Sequence, residues 1–268
     1  MFDQVIVTAD GSPLDYFTLP VAGGIAHQLG VPLTLLSVVA DTGQVEAWRK
    51  AMEGALAARK VSGAKVEVLV GKHAGELIVN KLNERKGALC CMSTHARTFA
   101  GEALFGSVTA EVVRSSRVPV LLLGPDFKDT WGTRIQNLFV CLDTSKLSEA
   151  IIPVASELAL KCSARVRLVE VLPMSRARYT SGSDVAGEAS YVAGEADRLK
   201  RERGILADWE VLHGDEPAEA IVTHAHGVPG AVIALTTHGR SGLSQMIAGS
   251  VAQRAIRRAS CPVLVLRP

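Results

Sequence analysis

The chain has 268 residues, of which 48% are apolar and 21% charged. Those proportions match a globular protein and exclude a disordered or low-complexity chain. The 29 Lys and Arg against 27 Asp and Glu leave a formal charge of only +2, which gives no electrostatic case for nucleic acid or an anionic membrane as main partner.

Residues Met1 to Val5 open straight into an apolar run, without the basic stretch that begins a secretory or transit segment. Gln4 to Ala9 reads as a first strand. Helical spacing from Ser12 to Leu29 stops at Gly30. Pro32 to Val39 reads as a strand, Gln44 to Val61 as a helix, Lys65 to Val70 as a strand and Ala74 to Glu84 as a helix. Ala88 to Ser93 is a strand, Ser107 to Ser115 a helix and Val118 to Leu123 a last strand. A stretch broken by Pro and Gly, Gly124 to Gly132, leads to a second series from Asn137 to Leu266. No apolar run reaches the roughly 18 residues of a membrane span. The strands lack in/out alternation and are spaced by helices, as parallel strands buried on both faces are. The expected fold is therefore α/β, with two doubly wound, mostly parallel five-stranded sheets over domains 1–125 and 135–268.

The second series is a copy of the first. Gly106, Ser107, Val108, Arg114, Pro119, Val120, Leu121 and Leu123 recur as Gly249, Ser250, Val251, Arg257, Pro262, Val263, Leu264 and Leu266. Thr94-His95 recurs as Thr237-His238, and Gly71 as Gly214. Further upstream Asp10 pairs with Asp143 and Val38 with Val171, so the second copy has extra residues between Val171 and Gly214. A period this long means duplicated domains, not a solenoid. The five cysteines (Cys90, Cys91, Cys141, Cys162 and Cys261) are odd in number and form no C-x-x-C pair. That favours buried thiols in a reducing cytoplasm over a disulfide frame or a zinc site.

In a doubly wound sheet, ligands bind beyond the carboxyl ends of the strands. One such place follows each first strand, at Asp10-Gly11-Ser12 and Asp143-Thr144-Ser145. The other follows each fourth strand and enters the last helix. In the second copy it runs from Thr236 through Gly239, Arg240 and Gly242 to Gly249-Ser250-Val251. A loop closing on a helix N-terminus suits a phosphate chain, because backbone N–H groups there lack partners. Ser250 adds a hydroxyl and Arg240 a charge.

The repeat unit resembles the universal stress protein family, and the duplication resembles its tandem members. Nucleotide-binding members share the pattern G-x2-G-x9-G-[ST]. It falls on Thr236, Gly239, Gly249 and Ser250 in the second copy, with Thr236 in the place of a glycine. In the first copy it falls on Ser93, Ala96, Gly106 and Ser107, where only the last two match. The resemblance implies an adenine nucleotide alpha hydrolase-like fold in pseudo-twofold tandem. It further implies that Asp143 and Val171, and Asp10 and Val38, face adenine and ribose. The implied ligand is ATP, with or without Mg2+, held mainly by Asp143, Val171, Thr236, Gly239, Arg240, Gly249, Ser250 and Val251. The weaker N-terminal site comprises Asp10, Val38, Ser93, Ala96, Gly106, Ser107 and Val108. In the family the last strands of two protomers pair, so Val118–Leu123 and Val263–Leu266 are expected to pair within this chain, a pseudo-dimer that is free to dimerise again.

Plainer readings stand beside these. Asp10 and Asp143 serve equally as helix caps, and Gly249-Ser250 as an ordinary turn into a helix. His95 and His238 have no spaced acid or nucleophile to make them catalytic. His224 and His226 do not share a helix face for a metal. No P-loop or dinucleotide fingerprint follows a first strand. The expected function is a cytoplasmic, stress-response regulator binding ATP or a related adenine nucleotide, with slow hydrolysis at most and an unknown protein partner. The alternative is a nucleotide-free interaction module of the same fold.

Overall fold

The computed structural model describes residues 2–13, 15–94, 106–177, 189–237 and 249–268. In the N-terminal half, β1 (Gln4–Thr8), β2 (Leu33–Val39), β3 (Lys65–Val70), β4 (Ala88–Ser93) and β5 (Val120–Leu123) alternate with helices. These are α1 (Asp15–Leu29), α2 (Val45–Ala58), α3 (Ala74–Glu84) and α4 (Ser107–Ser115). The C-terminal half runs β6 (Asn137–Leu142), α5 (Lys146–Glu149), α6 (Ile152–Cys162), β7 (Arg165–Leu172), α7 (Met174–Ala177) and α8 (Ser190–Arg203). It continues with β8 (Ala207–His213), α9 (Pro217–Ala225), β9 (Ala231–Thr236), α10 (Ser250–Arg258) and β10 (Val263–Leu266).

The two five-stranded sets join into one ten-stranded sheet of order β3-β2-β1-β4-β5-β10-β9-β6-β7-β8. Pairing is parallel within each half, for example Val5 opposite Leu33 and Val140 opposite Ala234. The seam between β5 and β10 is antiparallel, with Leu121 opposite Leu264. The last strands thus pair within the chain, as expected, and neither is left as an open edge. Central strands are apolar on both faces because helices cover both: β9 is buried along its whole length. Edge strands β3 and β8 are only partly buried.

A single apolar cluster runs through both halves, from Val5 and Leu89 to Leu121, Val140 and Leu264. Polar staples reinforce it. The Gln28 side chain donates to the carbonyls of Ile135 (2.8 Å) and Cys162 (3.0 Å) and accepts from the Ile135 amide (2.9 Å). The Trp131 indole is buried and donates to the Ala231 carbonyl at 2.5 Å. Gly24, in the middle of α1, lies so close to the connecting segment that a β-carbon there would collide with Thr133.

Candidate functional site

Strand order reverses between β6 and β9, which opens a crevice beyond their carboxyl ends. Asp143 follows β6. Its Oδ1 accepts the Ser145 amide at 3.1 Å and the Ser145 hydroxyl at 2.5 Å, while its own amide donates to Ser148 Oγ at 3.2 Å. Ser145, not Asp143, caps α5, its Oγ accepting the Ser148 amide at 3.1 Å. The aspartate is therefore held by a tight turn at the crevice rim. Between them Thr144 adopts φ 67, where a branched side chain is strained.

The other wall is the start of α10. The Gly249 amide donates to the Thr237 carbonyl at 2.5 Å. Gly249 is the N-cap, extended at φ −59 and ψ 159, and has no side chain with which to cap the helix. The amides of its first turn therefore have no intrahelical partner, and the helix dipole adds positive potential there. A β-carbon on Gly249 would stand 3.2 Å from the Thr237 carbonyl oxygen, too close without a local shift. Between the walls lies a cavity of about 420 Å³. Asp143, Val171, Thr236, Gly249, Ser250 and Val251 all line it. Gly239 and Arg240 lie outside the described residues. The cavity also draws on Ser148, Pro173, Asp215 and Thr237. Of these the sequence pattern marked Thr237 only as part of a repeated segment, and Gly214 marked the segment that holds Asp215.

The matching crevice of the N-terminal half is far smaller, about 100 Å³. Asp10, Val38, Ser93 and Val108 line it; Gly106 and Ser107 stand beside it, at the start of α4, and are not in its lining. Ala96 and His95 lie outside the described residues, as does His238. Asp10 Oδ1 accepts the Ser12 amide at 3.0 Å, the same turn as at Asp143. A second carboxylate joins it: Asp15, only 4% exposed, accepts the Gly11 amide at 2.8 Å. Burial and then the Asp10 charge push the Asp15 carboxyl up to about 6, against smaller pulls from the Gly11 amide and Arg59.

Other singled-out groups have structural roles. His224 Nε2 lies 3.1 Å from a Glu210 carboxylate oxygen, whereas His226 Nδ1 is 3.2 Å from Ser260 Oγ, so the two rings serve different neighbours. The five cysteines are free and buried, and burial pushes Cys90, Cys141 and Cys261 up to about 12. Thiols so shielded are poor nucleophiles. Among the described residues no group of three or more His, Cys, Asp or Glu is placed to hold a metal ion, and no helix is long and apolar enough to cross a membrane.

The model of the universal stress protein family matches this chain twice, over residues 1–124 and 134–267. The chain belongs to that family. A crystal structure of a universal stress protein from Archaeoglobus fulgidus shares its fold, with a TM-score of 0.73 at 19% identity over 98% of both chains. A universal stress protein of Mycobacterium bovis is 27% identical over 185 residues, which is 66% of this chain and 60% of that protein. A universal stress protein of Methanocaldococcus jannaschii is 39% identical over 70 residues, 26% of this chain and 41% of that protein. The matched stretches therefore span less than two thirds of these curated universal stress proteins.

Proposed function

We propose that the C-terminal half binds ATP or a closely related adenine nucleotide, and that the protein is a cytoplasmic, nucleotide-linked regulator and not a rapid enzyme. The reading is carried by one observation: the cavity of about 420 Å³ that gathers Asp143, Val171, Thr236, Gly249, Ser250 and Val251. Its parts fit such a ligand. The first turn of α10, whose N-cap is a glycine, and the Ser250 hydroxyl suit phosphate oxygens. Val171 and Ile221 offer apolar contact for a base, and Asp143 an acceptor for hydroxyls or an exocyclic amine. A bound nucleotide brings a polyanionic tail; Gly249 lets the backbone approach it, and Ser250 adds a donor. The matching resemblance to nucleotide-binding members supports the same assignment. The free buried thiols support a reducing compartment.

Isothermal calorimetry with ATP on the full chain tests this. Binding is expected, with Ser250→Ala about tenfold weaker, the loss of one hydrogen bond to a charged group. Gly249→Ala is expected to weaken it at least as much, because the added β-carbon crowds the Thr237 carbonyl. No heat of binding, together with no adenine nucleotide released from purified protein in mass spectrometry, would favour the nucleotide-free interaction module.

A further inference from the structure

We infer that Asp15 bars the N-terminal cavity to anionic ligands, so that each chain takes a single nucleotide and this one aspartate sets the two halves apart. The inference rests on the nucleotide reading of the C-terminal half and extends it to the other. The two cavities are built from matched positions. Asp10, Val38, Ser93 and Val108 in one stand where Asp143, Val171, Thr236 and Val251 stand in the other. Among the matched positions that differ, two put a charged or larger polar side chain into the N-terminal cavity. Asp15 corresponds to Ser148, and Thr109 to Ala252.

Asp15 acts through charge and through space. Its buried carboxylate lies beside Asp10 and takes the Gly11 amide. Arg59 opposes its charge from outside the cavity, but burial and Asp10 outweigh that attraction. A phosphate entering would meet two carboxylates in a poorly solvated space, where repulsion is only weakly screened. The C-terminal cavity also has a second carboxylate, Asp215, yet that residue is exposed and bonded to the Met174 amide at 3.1 Å. Solvent and salt screen a charge so placed. The Ser148 hydroxyl, by contrast, is small and neutral, and is turned to the Ser145 carbonyl at 2.8 Å. Thr109 adds to the narrowing, its hydroxyl tied to the Ser93 carbonyl at 3.0 Å.

The experiment is calorimetric titration of ATP into the full chain, Asp15→Asn, Asp15→Ser and the double variant Asp15→Ser/Thr109→Ala, with thermal melts to confirm folding. Wild type is expected to bind one ATP. The double variant is expected to bind two, the second at least tenfold more weakly, and Asp15→Asn, which keeps the shape and removes the charge, to show the second site more weakly still. A wild type that binds two, or folded variants that gain nothing over wild type, overturns the inference. A wild type that binds none defeats the C-terminal assignment instead. Even then, a site gained on removing Asp15 would support the role given to it.

Discussion

Thr144 carries a cost that its matched residue avoids. In the N-terminal half the same turn is made by Gly11 at φ 77, while Thr144 makes it at φ 67. A β-branched residue there is strained by about 1–2 kcal/mol, and such strain collects where a side chain must be aimed. Thr144→Gly is accordingly expected to raise stability by about 1 kcal/mol in urea titrations, and to weaken ATP binding by loosening the turn that holds Asp143. Asp15 gives the opposite half its own signature. A carboxyl whose folded-state pKa, about 6, exceeds its ordinary value of 3.8 binds its proton more tightly in the folded chain. The stability this gives is fully present below about pH 4 and lost as pH rises through 6. The shift corresponds to a cost on the order of 3 kcal/mol at neutral pH. Asp15→Asn should therefore be more stable than wild type at pH 7.5 and nearly equal to it at pH 4, as read from urea midpoints. The nearby charges, Asp10 and Arg59, remain in both proteins, so the difference isolates Asp15. None of this was visible in the sequence, where Asp15 is one acidic residue in an amphipathic stretch.

At the scale of elements, the sequence was legible wherever its period met a clear stop. The spans Lys65–Val70, Ala74–Glu84, Ala88–Ser93 and Ser107–Ser115 are as the patterning predicts. The departures have local causes. The helix expected from Ser12 begins at Asp15, because the Asp10 side chain holds the Ser12 amide and Gly11 is left-handed, so the chain is still turning. The helix expected to reach Val61 ends at Ala58; Lys60 turns left-handed at φ 57 and the Val61 amide returns to the Leu56 carbonyl at 3.0 Å. The strand expected from Val118 begins at Val120, after Pro119, whose nitrogen has no hydrogen to donate. Matched prolines also act differently. Pro20 lies inside the continuous α1, whereas Pro153 sits in the first turn of α6, where the chain has already broken after α5. Periodicity cannot reveal that difference, since a proline is accommodated in a helix's first turn and, at a cost, within a continuous helix. The start of α10 was legible as a candidate anion site only because Gly249-Ser250 recurs at Gly106-Ser107 and follows Gly239 and Arg240. The volume in front of it was not, because a cavity depends on side chains brought from β6, β7 and α9.

At the scale of the molecule, the seam decides behaviour. β5 and β10 lie in mid-sheet, and the apolar cluster continues across them. Separating the halves would expose Leu121, Leu122, Val263 and Leu264, all fully buried. A single cooperative unfolding transition is therefore expected, with calorimetric and van't Hoff enthalpies in agreement, although the chain is a duplication. Leu121→Ala, at the seam, should cost about 2–5 kcal/mol and shift that one transition without splitting it. Two resolved transitions would show that each half is stable alone. The sequence supplied the duplication and, through the family resemblance, the pairing of last strands. It showed neither the register, Leu121 against Leu264, nor the contacts of Gln28, Trp131 and Gly24 with Ile135, Ala231 and Thr133 that tie the halves and their connecting segment together.

The antiparallel seam also fixes where the two crevices open. Strands of one half run opposite to those of the other, so their carboxyl ends point to opposite rims of the sheet. A protein that docks over the C-terminal mouth leaves the N-terminal one uncovered. Any message between them has to pass sideways through four neighbouring strands, β9, β10, β5 and β4, and not through a shared ligand. The duplication has thus produced a two-faced body, with a cavity of about 420 Å³ at one rim and one of about 100 Å³, lined by Asp15, at the other.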